Sequence, residues 1–128
     1  MAKARPLVMV VNGDEAVREA ICFVLRLEGL DVCAHEDAVG ALACPHANAA
    51  LCFVLGDRPP TLDGCALLAG LRAINQRAPA ILIAGRVTND LHVRAREAGV
   101  TLVLEKPLLD NALVEAVLSA VQSQNLAT

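Results

Sequence analysis

The stretch Val100-Thr101-Leu102-Val103-Leu104-Glu105-Lys106-Pro107 closes a strand-length apolar run with a glutamate, a lysine and a proline. It is the fifth such run in the chain, and what separates the five decides the fold. Immediately upstream, residues 89–98 read as a helix with Gly99 as its stop, and Pro79 opens the fourth run, 80–84. Before that comes a helix carrying Leu67, Leu68, Leu71 and Ile74, entered from the third run, 50–55, through a Gly- and Pro-rich turn, 56–64. The second run, 30–35, leads into a short, weakly amphipathic helix at 37–43 and a loop at 45–49. The first, 7–11, is apolar throughout, as a strand covered on both faces requires. Asp14 caps the helix after it; Val17, Ala20, Ile21, Val24, Leu25 and Leu27 form the expected apolar stripe, and Gly29 ends it. Downstream of Pro107, residues 109–121 read as the last helix.

Five strands alternating with five helices through short connections predict an α/β fold, a doubly wound parallel sheet with helices on both faces. Right-handed crossovers leave few arrangements, and the flavodoxin-like order 2-1-3-4-5 is the expectation for one domain spanning 1–128. Ligands of such sheets lie beyond the carboxyl ends of the strands. That rule singles out residues 12–14, 56–57, 84–86 and Lys106.

Composition agrees with a single domain that buries a sizeable core, since 55% of the 128 residues are hydrophobic. A net charge of −3 gives no electrostatic reason for nucleic-acid or membrane binding. Arg86, Arg94 and Arg96 add local positive charge but have no interleaved aromatics to stack bases, and read as a solvated helix face. No apolar run approaches a membrane span, and residues 7–11 are too short for a signal-peptide core, so a cytoplasmic location is expected. The five cysteines, Cys22, Cys33, Cys44, Cys52 and Cys65, form no CxxC and no zinc-finger spacing with histidine. They read as structural, with a redox or metal role as the alternative. His35, His46 and His92 are scattered and read as surface or turn residues.

At the strand ends the sequence resembles the receiver domain of bacterial response regulators. Residues 10–18 look like the family's opening, in which acidic residues follow the first strand. Arg58-Pro59-Pro60-Thr61-Leu62-Asp63-Gly64 resembles the loop after the phosphoacceptor strand, and Ala98-Gly99 with Glu105-Lys106-Pro107 resembles the fifth-strand segment. The resemblance covers essentially the whole chain. It implies a two-component signalling domain rather than an enzyme, with protein partners (a sensor kinase, an effector or a regulator).

The resemblance also exposes departures. Aspartyl phosphorylation needs a carboxylate nucleophile, acidic ligands for Mg²⁺, and a lysine and hydroxyl for the phosphoryl oxygens. The acidic pair falls on Asn12 and Gly13, the phosphoacceptor position on Gly56, the hydroxyl position on Ala84 and the aromatic switch position on Val103. Lys106 alone remains. Asp14 and Asp57 each lie one residue beyond the required position, and a one-residue slip turns a strand side chain to the other face. The expectation is therefore a degenerate receiver, binding Mg²⁺ weakly or not at all and holding no other cofactor, with Lys106 paired to Asp14 or Asp57. It would act through Arg94, Arg96, Val103, Glu105, Leu109 and Leu113 on the fourth-helix, fifth-strand, fifth-helix face, where a homodimer can form but is not required. The alternatives are an atypical phosphoacceptor at Asp57 and a small-molecule sensor using the vacated pocket.

Overall fold

Five short runs of β-branched and aliphatic residues hydrogen-bond side by side into one parallel sheet, in the computed structural model that describes residues 5–108 and 111–126. In chain order the elements are β1 (Leu7–Val11), α1 (Glu15–Leu27), β2 (Asp31–His35), α2 (Ala38–Leu42), β3 (Cys52–Asp57), α3 (Gly64–Arg72), β4 (Ala80–Ala84), α4 (Asn89–Ala98), β5 (Leu102–Glu105) and α5 (Ala112–Leu126), with a 3₁₀ turn at Ala47–Ala49 before β3. The strand order is β2-β1-β3-β4-β5, as expected for the doubly wound fold.

Alternation along the strands splits the core into two layers. Val8, Val10, Cys52, Val54, Ile81 and Ile83 pack against Ile21, Cys22 and Leu25 of α1 and Leu113, Val117 and Val121 of α5. Met9, Val11, Phe53, Leu55, Leu82 and Ala84 face the opposite way, against Ala41, Leu67, Leu68, Leu71, Leu91 and Ala95. The starts of α1 to α4 are fixed by side chains that satisfy orphan backbone donors: Asp14, Asp37, Asp63 and Thr88. Gly29 and Gly99 hold positive φ just after α1 and α4, where a side chain would be strained.

Several boundaries differ from the sequence reading. β3 runs two residues past Leu55, because Gly56 and Asp57 stay in register with Ile83 and Ala84 of β4. β5 begins at Leu102, since the Val100 N–H closes the end of α4 on the Ala95 carbonyl. The last helix runs Ala112–Leu126, and Leu109 lies outside the described residues. On α1, Cys22 is buried while Val24 and Leu27 are exposed. At 3.6 residues per turn Leu27 lies about 120° round the helix from Ile21. Ile74 falls beyond α3 and is exposed as well.

Gly64 shows how tightly α3 is seated. A Cβ there would collide with Leu82 Cδ1 and stand 2.9 Å from the Gly56 carbonyl oxygen. Gly64→Ala should therefore lower stability by about 1–3 kcal/mol, the usual cost of overpacking, as read by urea titration. Gly85→Ala, where nothing lies within 4 Å of the added carbon, is the matched control.

Candidate functional site

The carboxyl ends of β1, β3 and β5 enclose a polar pocket of about 170 Å³ lined by Asn12, Gly13, Asp14, Gly56, Asp57, Arg58, Thr61, Leu62 and Lys106. The sequence reading placed six of these here: Asn12, Gly13, Asp14, Gly56, Asp57 and Lys106. Arg58, Thr61 and Leu62 join because the loop after β3 folds back on itself, with Arg58 and Leu62 exchanging backbone hydrogen bonds of 2.8 and 3.0 Å. Ala84 is buried in the core, and its carbonyl receives the Lys106 N–H at 2.9 Å.

Strand parity governs what each residue contributes. Asn12 continues the face of Val8 and Val10, and Gly56 continues that of Cys52 and Val54, the α1/α5 side of the sheet. A Cβ on Gly56 would lie 3.2 Å from Asn12 Nδ2. Position 56 is thus the one whose side chain would project toward the end of β1. Asp57 continues the face of Phe53 and Leu55, toward α3. Its Oδ1 accepts a 2.9 Å hydrogen bond from the Gly64 N–H, where it satisfies a backbone donor in the first turn of α3.

The remaining polar groups are also committed locally. Asn12 is the buried polar residue of the core; its Oδ1 accepts from the Asp14 N–H at 2.9 Å, and its carbonyl accepts from Arg18 Nη1 at 2.7 Å. Asp14 Oδ1 accepts from the Val17 N–H at 3.1 Å as the cap of α1. Gly13 and Gly56 bring no side chain. Lys106 is half-buried between this pocket and an apolar hollow of about 460 Å³ lined by Val17, Ala20, Ile21, Pro107 and Leu108. The expected pairing of Lys106 with Asp14 or Asp57 is not formed: among the described residues no carboxylate oxygen lies within 4.0 Å of its ammonium. The reason is again parity and capping, since both carboxylates are turned to backbone donors.

The face expected to carry partner contacts needs revision too. Arg94 turns toward α3, with Nη1 3.8 Å from Asp63 Oδ2 and Nε 3.3 Å from Asp90 Oδ2. Leu113 is buried in the α1/α5 layer, because α5 uses it with Val117 and Val121 to cover the sheet. Val103 packs partly into the opposite layer. Arg96 and Glu105 remain exposed, joined by Val93 and Leu102 as exposed apolar residues on the same two elements. The histidines are not all scattered. Ligand atoms of Cys33, His35 and Cys44 lie within 4.8 Å of one another. The signal was present as two Cys-x-His pairs, Cys33-Ala34-His35 and Cys44-Pro45-His46. Cys52 is the inert thiol expected of a core cysteine, its pKa pushed up to about 12 by burial.

Comparison with known proteins settles the family. The family model for the response regulator receiver domain matches residues 8–118. The chain belongs to that family. It is 31% identical over 121 residues to nodulation protein W of Bradyrhizobium diazoefficiens, covering 94% of this chain and 53% of that protein. Over 111 residues it is 32% identical to the transcriptional regulatory protein FixJ of Rhizobium meliloti, covering 86% and 54%. The chain thus spans about half the length of the curated relatives it matches. Among solved structures it superposes on FixJ-N with a TM-score of 0.79 at 30% identity, covering 94% of this chain and 96% of that one. A receiver domain protein from Methanospirillum hungatei gives 0.87 at 19% identity, covering 98% and 100%, a likeness of fold. The chain is therefore a receiver domain of the two-component type, and among its described residues no helix is long and apolar enough to cross a membrane.

The roles of Asp57 can be separated by substitution. Asp57→Ala strands the Gly64 N–H and should cost about 1–3 kcal/mol in urea unfolding, as for a lost partner of a half-buried donor. Asp57→Asn keeps an oxygen acceptor and should stay within about 0.5 kcal/mol of the parent.

Proposed function

We propose that this domain is a receiver that does not use aspartyl phosphorylation and signals by constitutive contact with protein partners. The observation that carries this reading is the position of Gly56. It occupies the strand site that faces Asn12, while the neighbouring Asp57, at the border of the same pocket, has its Oδ1 turned to the Gly64 N–H of α3. A phosphoryl group needs a nucleophilic oxygen in the pocket, and at that point the chain offers a hydrogen atom.

The donor set also does not fit Mg²⁺. This ion favours near-octahedral oxygen coordination and is usually anchored by carboxylates. Asn12 gives one neutral amide oxygen that already accepts from Asp14, Gly13 and Gly56 give none, and the Asp14 and Asp57 carboxylates are oriented by backbone N–H groups. Ala84 in place of a hydroxyl and Val103 in place of an aromatic ring leave no side chain to follow a phosphate, so the α4–β5 surface has no phosphate-driven two-state equilibrium to shift.

Partners in this reading are a sensor kinase, an effector or a second copy of the chain, docking on the α4–β5–α5 face around Val93, Arg96, Leu102 and Glu105. The domain binds and does not catalyse, and it works in the cytoplasm with its signalling proteins.

Acetyl phosphate with Mg²⁺, followed by intact mass, tests the proposal. The native chain should gain no phosphoryl group. The triple variant Asn12→Asp, Gly13→Asp, Gly56→Asp, which restores the missing carboxylates beside Lys106, should gain one. Phosphorylation of the native chain that is lost in Asp57→Asn would overturn the proposal in favour of an atypical acceptor.

A further inference from the structure

At the other side of β1, the edge strand β2 and the end of α2 assemble a second constellation. Cys33 and His35 are two residues apart on β2 and therefore share a face of the sheet. Cys44 lies two residues beyond the end of α2, and its thiol, the Cys33 thiol and a ring nitrogen of His35 lie within 4.8 Å of one another. All three residues are half-buried, which leaves an ion a way in.

The imidazole is poised as a ligand. Its Nε2 is buried with no hydrogen-bond partner among the described residues, a costly state for a polar atom. The Nδ1 side of the ring is crowded against α2: a Cβ at Gly40 would stand 3.3 Å from Nδ1 and 3.4 Å from Asp37 Oδ1. Glycine at 40 thus lets the ring lie close against α2, where Asp37 Oδ1 accepts from the Gly40 N–H at 2.8 Å.

We propose that Cys33, His35 and Cys44 form a binding site for a zinc ion. Two thiolates and one neutral imidazole are a borderline-soft donor set that suits Zn²⁺, and two negative sulfurs cancel its charge, so no net charge is left half-buried. Zn–S distances of about 2.3 Å and Zn–N of about 2.0–2.1 Å require the three donors to draw together by roughly an ångström. Binding releases the two thiol protons to solvent; nothing is oxidised or reduced. A fourth donor has room, because Cys33 also lines an open hollow of about 390 Å³ bordered by His46, the second histidine of the repeated Cys-x-His pattern.

A thiol–disulfide switch uses the same sulfurs but is disfavoured. Burial and the adjacent Cys44 push the Cys33 thiol up to about 12, so it is not the exposed, acidic thiol that exchange requires. A cation reverses this by stabilising the thiolate directly. The position also has a structural consequence. The His35 carbonyl accepts from the Asn12 N–H at 3.0 Å, so an ion that fixes the end of β2 acts one hydrogen bond from the vacated pocket.

The test uses the tag-free, reduced chain with Co²⁺ as a spectroscopic stand-in for Zn²⁺. One equivalent of Co²⁺ should give a thiolate-to-metal charge-transfer band with tetrahedral d–d absorption, and one equivalent of Zn²⁺ should abolish it and raise the melting temperature. Cys33→Ser, Cys44→Ser and His35→Gln should each weaken zinc binding at least about 100-fold, since losing a group that merely orients a ligand already costs about 10–100-fold. His92→Gln, on exposed α4, should bind like the parent. Because a cysteine variant can misfold, alkylation mapping of the unmutated chain gives a second readout: Zn²⁺ should protect Cys33 and Cys44 and leave the labelling of Cys65 unchanged. Less than one zinc per chain from a chelator-buffered solution, binding unchanged by Cys33→Ser, or protection of other cysteines instead would overturn the proposal.

Discussion

The end of β3 fixes the character of this domain through the two-residue repeat of a strand. Because β3 stays hydrogen-bonded to β4 as far as Asp57 and Ala84, residues 56 and 57 are held on opposite faces of the sheet. One face meets Asn12 and the other meets the start of α3. A carboxylate moved by one residue is therefore carried into a different layer and given a different partner, the Gly64 N–H. The same constraint holds Gly64, whose missing side chain allows α3 to approach the Gly56 carbonyl. Pocket, loop and helix start form one packed unit around a strand end with no acid at the position facing Asn12.

Lys106 bears the energetic consequence of that missing acid. Its counter-charge in a conventional receiver pocket would sit at position 56, on its own side of the sheet. Here that site is Gly56, and the nearby carboxylates are engaged with backbone donors. The lysine remains half-buried with its stem beside Val17, Ala20 and Ile21, an arrangement in which an amphipathic side chain covers apolar surface while its ammonium reaches the polar pocket. The pocket is small and tightly committed, whereas the Cys33–His35–Cys44 cluster contains a polar atom without a partner.

Most of the fold was legible in the sequence because continuous apolar runs and helix caps are local signals. Leu7–Val11 and Ala80–Ala84 were read to the residue, as were the caps Asp14 and Gly99. The misplaced ends of β3 and β5 have a different origin, since pairing with β4 decides how far β3 continues and the closing hydrogen bond of α4 decides where β5 can begin. The position of Gly56 was legible by spacing from Gly64. The partners of Asp57 and Arg94, and the unpaired carboxylates around Lys106, were not, because they depend on which way a side chain turns. Leu113 was placed on the surface because α5 is apolar on more than one side, and packing alone selects the buried stripe. The cysteine cluster was missed because its halves lie on β2 and after α2, brought together by the crossover.

Whether the strand-end pocket takes a phosphoryl group is decided by an amide-resonance titration of the labelled chain with Mg²⁺ and beryllofluoride, a mimic of the phosphorylated aspartate. Resonances of Asn12, Gly13, Gly56, Asp57 and Lys106 should remain unshifted at millimolar Mg²⁺, with or without beryllofluoride. Saturable shifts centred on Asp57 and spreading into α4 and β5 would contradict the account and restore a phosphate switch to this domain.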